Sequence, residues 1–238
     1  MKLADATVFI TGANRGLGLA FARAALAAGA RKVYAAARDP GSIALPGVVP
    51  IALDVNNPSQ LAVAAADCGD VTLVINNAGI ATTGGLLDVG SIEATQRMME
   101  TNVYGMLRVS QAFAPVLARN GGGALLNVLS VSSWLSAPVL AGYAVSKAAA
   151  WSMTNGLRNE LRAQDTQVLG LHVGFIDTDL TKGFDAPKLA PDFVVERAYA
   201  ALEAGASEIA VDEWTQGIKR GLSNEPGIYI GISPDSAR

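Results

Sequence analysis

The chain has 238 residues, 50% of them hydrophobic and only 16% charged, with a net charge of −3 and a pI of about 5.2. That is enough apolar material for one sizeable core, and it leaves no basic field to hold nucleic acid or an anionic membrane. The lone cysteine, Cys68, excludes an internal disulfide. It suits a reducing cytoplasm, where a chain with no signal-like start and no uninterrupted apolar run of about 18 residues is expected to reside.

The first strand is predicted at 6–10. It leads into Thr11-Gly-Ala-Asn-Arg-Gly-Leu-Gly18 and then an alanine-rich helix over 17–28. Glycines at 12, 16 and 18 let the backbone turn tightly and approach a pyrophosphate, and the helix N-terminus behind them attracts negative charge. A second strand follows at 32–37. After it, Asp39-Pro-Gly-Ser-Ile-Ala-Leu-Pro-Gly47 holds too many breakers for a helix. Strands are then expected at 48–53, 71–75, 123–129, 167–173 and 207–211, with helices at 58–66, 92–119, 141–162 and 192–204. The apolar runs read as buried parallel strands. Their alternation with helices predicts an α/β fold, a Rossmann-like doubly wound parallel sheet of about seven strands with helices on both faces. It is expected as one domain over 1–238.

Chemistry concentrates at Tyr143-Ala-Val-Ser-Lys147, with Ser130 thirteen residues upstream. A tyrosine and a lysine four apart on a helix share one face, roughly 5–6 Å apart at Cβ. A cation that close stabilises the phenolate and brings the phenol below its ordinary value of about 10. Ser130 can hold a substrate oxygen while the proton moves.

Charge speaks to cofactor choice. A site for the unphosphorylated dinucleotide usually ends its second strand with Asp or Glu, to bind the ribose 2′-hydroxyl. Here Ala37 stands at that position, Arg38 follows it, and Arg15 precedes Gly16. Two guanidinium groups there would bind a 2′-phosphate. The alternative is two solvated arginines, with Arg38 paired to Asp39. His172, the only histidine, offers no metal cluster and reads as structural; no metal is expected.

Taken in order, Thr11-Gly-x-x-x-Gly-x-Gly18, Asp54-Val55, Asn76-Asn-Ala-Gly79, Asn102, Ser130 and Tyr143-x-x-x-Lys147 resemble the short-chain dehydrogenase/reductase family, in its single-domain members. The resemblance runs from Thr7 to about Leu222. It implies an NADPH/NADP+-dependent oxidoreductase that reduces a ketone or aldehyde to an alcohol, reversibly. Asn102, Ser130, Tyr143 and Lys147 would be catalytic, with Asn102 holding a water of the proton relay. The thirteen-residue spacing favours Ser130 over its neighbours Ser132 and Ser133. Cofactor contacts would come from Gly12, Asn14, Arg15, Gly16, Leu17, Gly18 and Arg38. Asp54 would take the adenine amino group beside Val55, and Asn76, Ala78 and Gly79 would face the adenosine ribose. Tyr143 and Lys147 would reach the nicotinamide ribose, and Gly174, Ile176 and Thr178 the carboxamide. Val173 stands where the family has a proline.

The substrate stretch offers Trp134, Leu135, Pro138, Val139 and Leu140, with Phe175, Leu180 and Phe184 on the far side, which suggests a hydrophobic or aryl carbonyl compound. Reduction of a carrier-bound 3-oxoacyl chain is an alternative, although only Lys182 and Lys188 supply a basic rim. A non-catalytic NADPH-binding redox sensor is another, and such sensors tend to lose the tyrosine or lysine kept here. The helices at 92–119 and 141–162 carry apolar residues on more than one face, including Met98, Met99, Val103, Leu107, Phe113, Trp151, Met153 and Leu157. A homodimer or homotetramer is therefore expected.

Overall fold

A computed structural model describes residues 1–230. Strands β1 (Thr7–Thr11), β2 (Lys32–Ala37), β3 (Val49–Ala52), β4 (Leu73–Asn76), β5 (Ala124–Val128), β6 (Gln167–His172) and β7 (Glu208–Ala210) form one sheet. All pair in parallel, in the order β3-β2-β1-β4-β5-β6-β7. The order reverses between β1 and β4, and ligands of open parallel sheets bind in the crevice at such a reversal. The expected unit over 1–238 includes residues 231–238, which lie outside the described residues.

Helices α1 (Gly16–Ala27), α2 (Pro58–Asp67), α3 (Ser91–Met99), α4 (Met106–Arg119), α5 (Ala141–Glu160), α6 (Pro191–Glu203) and α7 (Glu213–Gly221) connect the strands. On one face of the sheet α1 packs on α6. Phe21 meets Tyr199 edge-on at 5.4 Å, and the Tyr199 hydroxyl donates to the Phe21 carbonyl at 2.9 Å. On the other face α2, α4 and α5 cover a second core, where Phe9 and Phe113 lie 4.4 Å apart, both wholly buried. Cys68 is buried in that core with a free thiol that burial pushes up to about 12.

The lean gap after β2 holds a single 3-10 turn, Pro40–Ser42, capped by the Asp39 carboxylate on the Gly41 amide. Three expectations change. Residues 48–53 were expected as a buried strand, but β3 is the sheet edge, and Val49 is 40% exposed. Pro50 suits that place, because proline cannot serve a central ladder. The expected helix 92–119 is a rod from Ser91 to Arg119 whose middle, Glu100–Gly105, widens into a π segment. Helix α7 was not foreseen: Gly217 interrupts a short pattern, and the start signal is Asp212, whose side chain accepts the Thr215 amide. No helix among the described residues is long and apolar enough to cross a membrane.

Phe113→Ala empties one side of a closed aromatic contact. We expect a loss of about 3–5 kcal/mol in folding free energy, measured by denaturant unfolding.

Candidate active site

The sheet reversal is stitched by polar contacts. The Thr11 hydroxyl accepts the amides of Asn77 and Ala78, both at 3.0 Å, and the Asn77 side-chain amide donates to the Thr11 and Gly12 carbonyls at 2.9 and 3.1 Å. This pins the glycine turn against the end of β4. A Cβ on Gly18 would fall 2.1 Å from the Gly12 carbonyl oxygen, so only glycine lets α1 begin there. Gly16 has a φ of +55°, which favours glycine. No side chain caps α1, so the leading amides of Gly16, Leu17 and Gly18 keep their hydrogens for a ligand at the positive end of the helix. Asn14 is half-buried in the same turn. These groups fit a diphosphate.

Around this cradle, Arg38 is exposed just beyond Ala37, and Asp39 spends its carboxylate on the Gly41 amide. Arg15 pairs with Asp179 at 2.8 Å across the crevice, both side chains mostly exposed. Asp54 accepts the Asn56 amide at 2.9 Å, and Val55 is buried beside Gly105. Ala78 is half-buried and Gly79 exposed. Asn76 needs correction as a ligand-facing residue. It is 3% exposed, and its side-chain amide donates to Ser110 at 3.1 Å and Asn127 at 2.9 Å. Strand alternation turns Asn76 inward and leaves Asn77 to the turn.

Asn102 sits in the π segment and is fully buried. Its oxygen accepts the Ile80 amide at 2.8 Å. Its nitrogen donates to the Ile80 carbonyl at 2.9 Å and to Ser146 at 3.0 Å. The Ser146 hydroxyl in turn donates to the Tyr143 carbonyl at 2.7 Å. Asn102 thus ties the loop after β4 to the helix that carries the tyrosine.

Ser130, at the end of β5, has extended backbone and accepts the Ser132 amide on its hydroxyl at 3.0 Å. Its hydroxyl also lies close enough to the Tyr143 phenol to draw the phenol's pKa down. The Lys147 ammonium lies 5.7 Å from the centroid of the Tyr143 ring and donates to the Val128 carbonyl at 2.8 Å. The structure therefore brings Ser130, Tyr143 and Lys147 together. Their proton affinities differ from the expected pattern. Burial pushes the phenol up to about 12, with the Ser130 hydroxyl pulling the other way, and burial pushes Lys147 down to about 8. Desolvation is the dominant influence on both groups.

Beyond β6, the turn carries Gly174, Ile176 and Thr178. The Gly174 amide donates to Asp212 at 3.1 Å, and the Ile176 carbonyl accepts the Thr181 hydroxyl. A Cβ on Gly16 would meet the Thr178 methyl at 3.3 Å, so this turn closes on the glycine turn. The apolar stretch divides. Pro138 and Val139 are exposed, and Phe175 and Phe184 pack at 5.3 Å. Trp134 is 9% exposed and packs inward with Val131 and Ile218, with half-buried Leu135 at the edge of that cluster. Leu140 is buried as well.

The sequence pattern described as short chain dehydrogenase matches residues 6–188. The chain belongs to the short-chain dehydrogenase family. A member of this oxidoreductase family from Burkholderia cenocepacia J2315, solved in complex with NADP, is 39% identical with a TM-score of 0.91, over 95% of this chain and 96% of that one. A 3-ketoacyl-(acyl-carrier-protein) reductase from Brucella melitensis, complexed with NADH, is 26% identical with a TM-score of 0.80, over 89% and 98%. The Bos taurus dehydrogenase/reductase SDR family member 7B is 33% identical over 196 residues, 74% of this chain. The present chain spans 60% of that relative's length.

Sequence reading quoted Thr11 in the glycine motif and Asn77 within 76–79 but not the contacts by which they brace the turn, and it gave Ser146 and Asp212 no role. The doubled asparagine at 76–77 held a signal, since period-two alternation sends one inward and one outward. Asn102→Ala should strip both Ile80 contacts and cost about 1–3 kcal/mol. The Ile80 amide should then exchange its hydrogen faster, read by amide-exchange mass spectrometry.

Proposed function

We propose that this chain is an NADPH-dependent carbonyl reductase, reducing a hydrophobic or aryl ketone or aldehyde to an alcohol and running in reverse with NADP+. The observation that carries the reading is the meeting of buried Ser130 and Lys147 with half-buried Tyr143 beside a glycine turn with an uncapped helix behind it. The turn from Gly12 to Gly18, with Asn14, would hold the diphosphate; Arg15 and Arg38 would take the 2′-phosphate. Asp54, Val55, Ala78 and Gly79 would bind the adenosine, and Gly174, Ile176, Thr178 and Lys147 the nicotinamide end. Bound there, the cofactor supplies hydride at nicotinamide C4.

The chain's own residues would place the carbonyl and deliver a proton. Ser130 would hold the carbonyl oxygen. Tyr143 would donate its phenolic proton to that oxygen, which a phenol pushed up to about 12 retains throughout the neutral range. Lys147, still cationic below about pH 8, would favour the tyrosinate left behind. Asn102 would hold a relay water through its backbone, since its side chain is spent. Exposed Val139 and Leu180 support an apolar substrate. The Brucella melitensis relative supports carrier-bound 3-oxoacyl chains as the second reading, which a panel containing both classes separates. A second copy would cover exposed Tyr104 and Val145 on the helices flanking the site, giving a homodimer or homotetramer.

NADPH should bind at least tenfold tighter than NADH, about 1.4 kcal/mol, by fluorescence titration. Ala37→Asp with Arg38→Val should reverse the order; equal affinities in the unaltered chain would reject the phosphate clamp. Because Arg15 is already held by Asp179, Asp179→Asn should strengthen NADPH binding specifically.

Tyr143→Phe should keep fold and NADPH binding while lowering turnover by about 10²–10⁴-fold. Reduction should also slow above about pH 8, as Lys147 loses its proton. Near-normal turnover in the phenylalanine variant would sink Tyr143 as the acid.

A further inference from the structure

The chain's only histidine lies directly behind the candidate catalytic serine. His172, at the end of β6, is wholly buried. Its Nδ1 is 3.0 Å from the Ser130 carbonyl oxygen, and its Nε2 is 3.1 Å from Glu208 Oε1 on β7. The ring stacks on Trp134, with centroids 4.0 Å apart and planes 17° apart. Trp134 meets Trp151 edge-on at 6.1 Å, and the Trp151 indole N–H donates to Glu208 at 3.0 Å. Lys219 on α7 donates to the other Glu208 oxygen. The stacking on Trp134 holds the plane of the ring.

Both ring nitrogens face acceptors. A carbonyl oxygen can only accept, and the Ser130 end is closed to water, since Ser130 is 7% exposed and His172 not at all. Two lone pairs meeting there would have no relief. The Glu208 end can adjust: its side chain is 19% exposed and already served by Trp151 and Lys219. The hydrogen therefore belongs on Nδ1, donated to Ser130. Burial disfavours a second proton on the ring, the Ser130 carbonyl favours it, and the cations Lys219, Lys147 and Arg158 disfavour it further.

The Ser130 carbonyl also accepts the Ser133 amide at 3.0 Å, and the Ser130 hydroxyl accepts the Ser132 amide within the same turn. Carbonyl and hydroxyl are thus coupled. If the peptide after Ser130 rotates, the Ser132 amide that aims the hydroxyl moves with it. We propose that His172 is a positioning residue: its imidazole Nδ1–H locks the Ser130 peptide so that its hydroxyl faces Tyr143, with the stacked Trp134 holding the ring plane. It does not touch substrate. The inference rests on the reading of Ser130 as a catalytic residue.

One histidine makes the test direct. A long-range proton–nitrogen spectrum of uniformly labelled full-length chain reports His172 alone. A hydrogen on Nδ1 at neutral pH is expected, and a ring protonated only on Nε2 overturns the proposal. For function, kcat, KM and the NADPH dissociation constant would be measured with the best carbonyl from the panel. His172→Leu should lower kcat at least tenfold with NADPH affinity within twofold. His172→Asn, whose amide can still donate to Ser130, should recover at least threefold of that loss. A folded leucine variant with unaltered kcat, or kcat and NADPH affinity falling together in both variants, overturns it. Should His172→Leu fail to fold, the Nδ1 spectrum carries the test: a hydrogen on Nδ1 supports the brace and a ring protonated only on Nε2 overturns it. An unaltered chain that turns over no carbonyl sinks the reductase reading, and the Nδ1 spectrum alone then decides the brace.

Discussion

A parallel sheet sends the carboxyl end of every strand to one edge, and everything functional here follows from that constraint. Thr11, Ala37, Asn76, Val128 and His172 close their strands along that edge. The order reverses between β1 and β4, so the helices that follow diverge to opposite faces and leave a crevice between them. The crevice stays open because its rims are tied below it. Thr11 and Asn77 hold the glycine turn to β4, and Asp212 holds Gly174 to the start of α7. A ligand there meets backbone amides already aimed, with little ordering left to do.

The second determinant is desolvation. Lys147 is 6% exposed and its ammonium leans on a single backbone carbonyl, that of Val128. A buried cation with one protein acceptor has unsatisfied hydrogen-bonding capacity. Ribose hydroxyls and a tyrosinate would satisfy it. Tyr143 holds its proton tightly and Lys147 holds its own more loosely than usual. Charge separation between them is costly in the dry interior and becomes easier once a ligand supplies polar partners.

Much of this was legible in the residues, for identifiable reasons. The strand–turn–helix start, the long apolar runs and the tyrosine–lysine spacing are local patterns, and local patterns survive without coordinates. What escaped depends on partners far apart in sequence. The inward turn of Asn76 follows from Ser110 and Asn127. The burial of Trp134 follows from His172 and Ile218, and an aromatic residue between Ser130 and Tyr143 reads as a pocket wall until those neighbours are known. Helix α7 was hidden by Gly217 and by having few apolar positions. The π segment carries no composition signal at all; its trace is Asn102 reaching across to Ile80.

Pro50 in β3 reaches beyond catalysis. The Leu53 amide donates inward to Ala37, so in the same alternation the amides of residues 49 and 51 face β2, while positions 50 and 52 face outward. Proline has no amide hydrogen to offer there. This margin of the sheet is left with outward carbonyls and a gap in its donors, a poor template for an incoming strand from another molecule. In a chain half hydrophobic by composition, that missing hydrogen guards against edge-to-edge growth into fibrils while leaving the ladder to β2 intact.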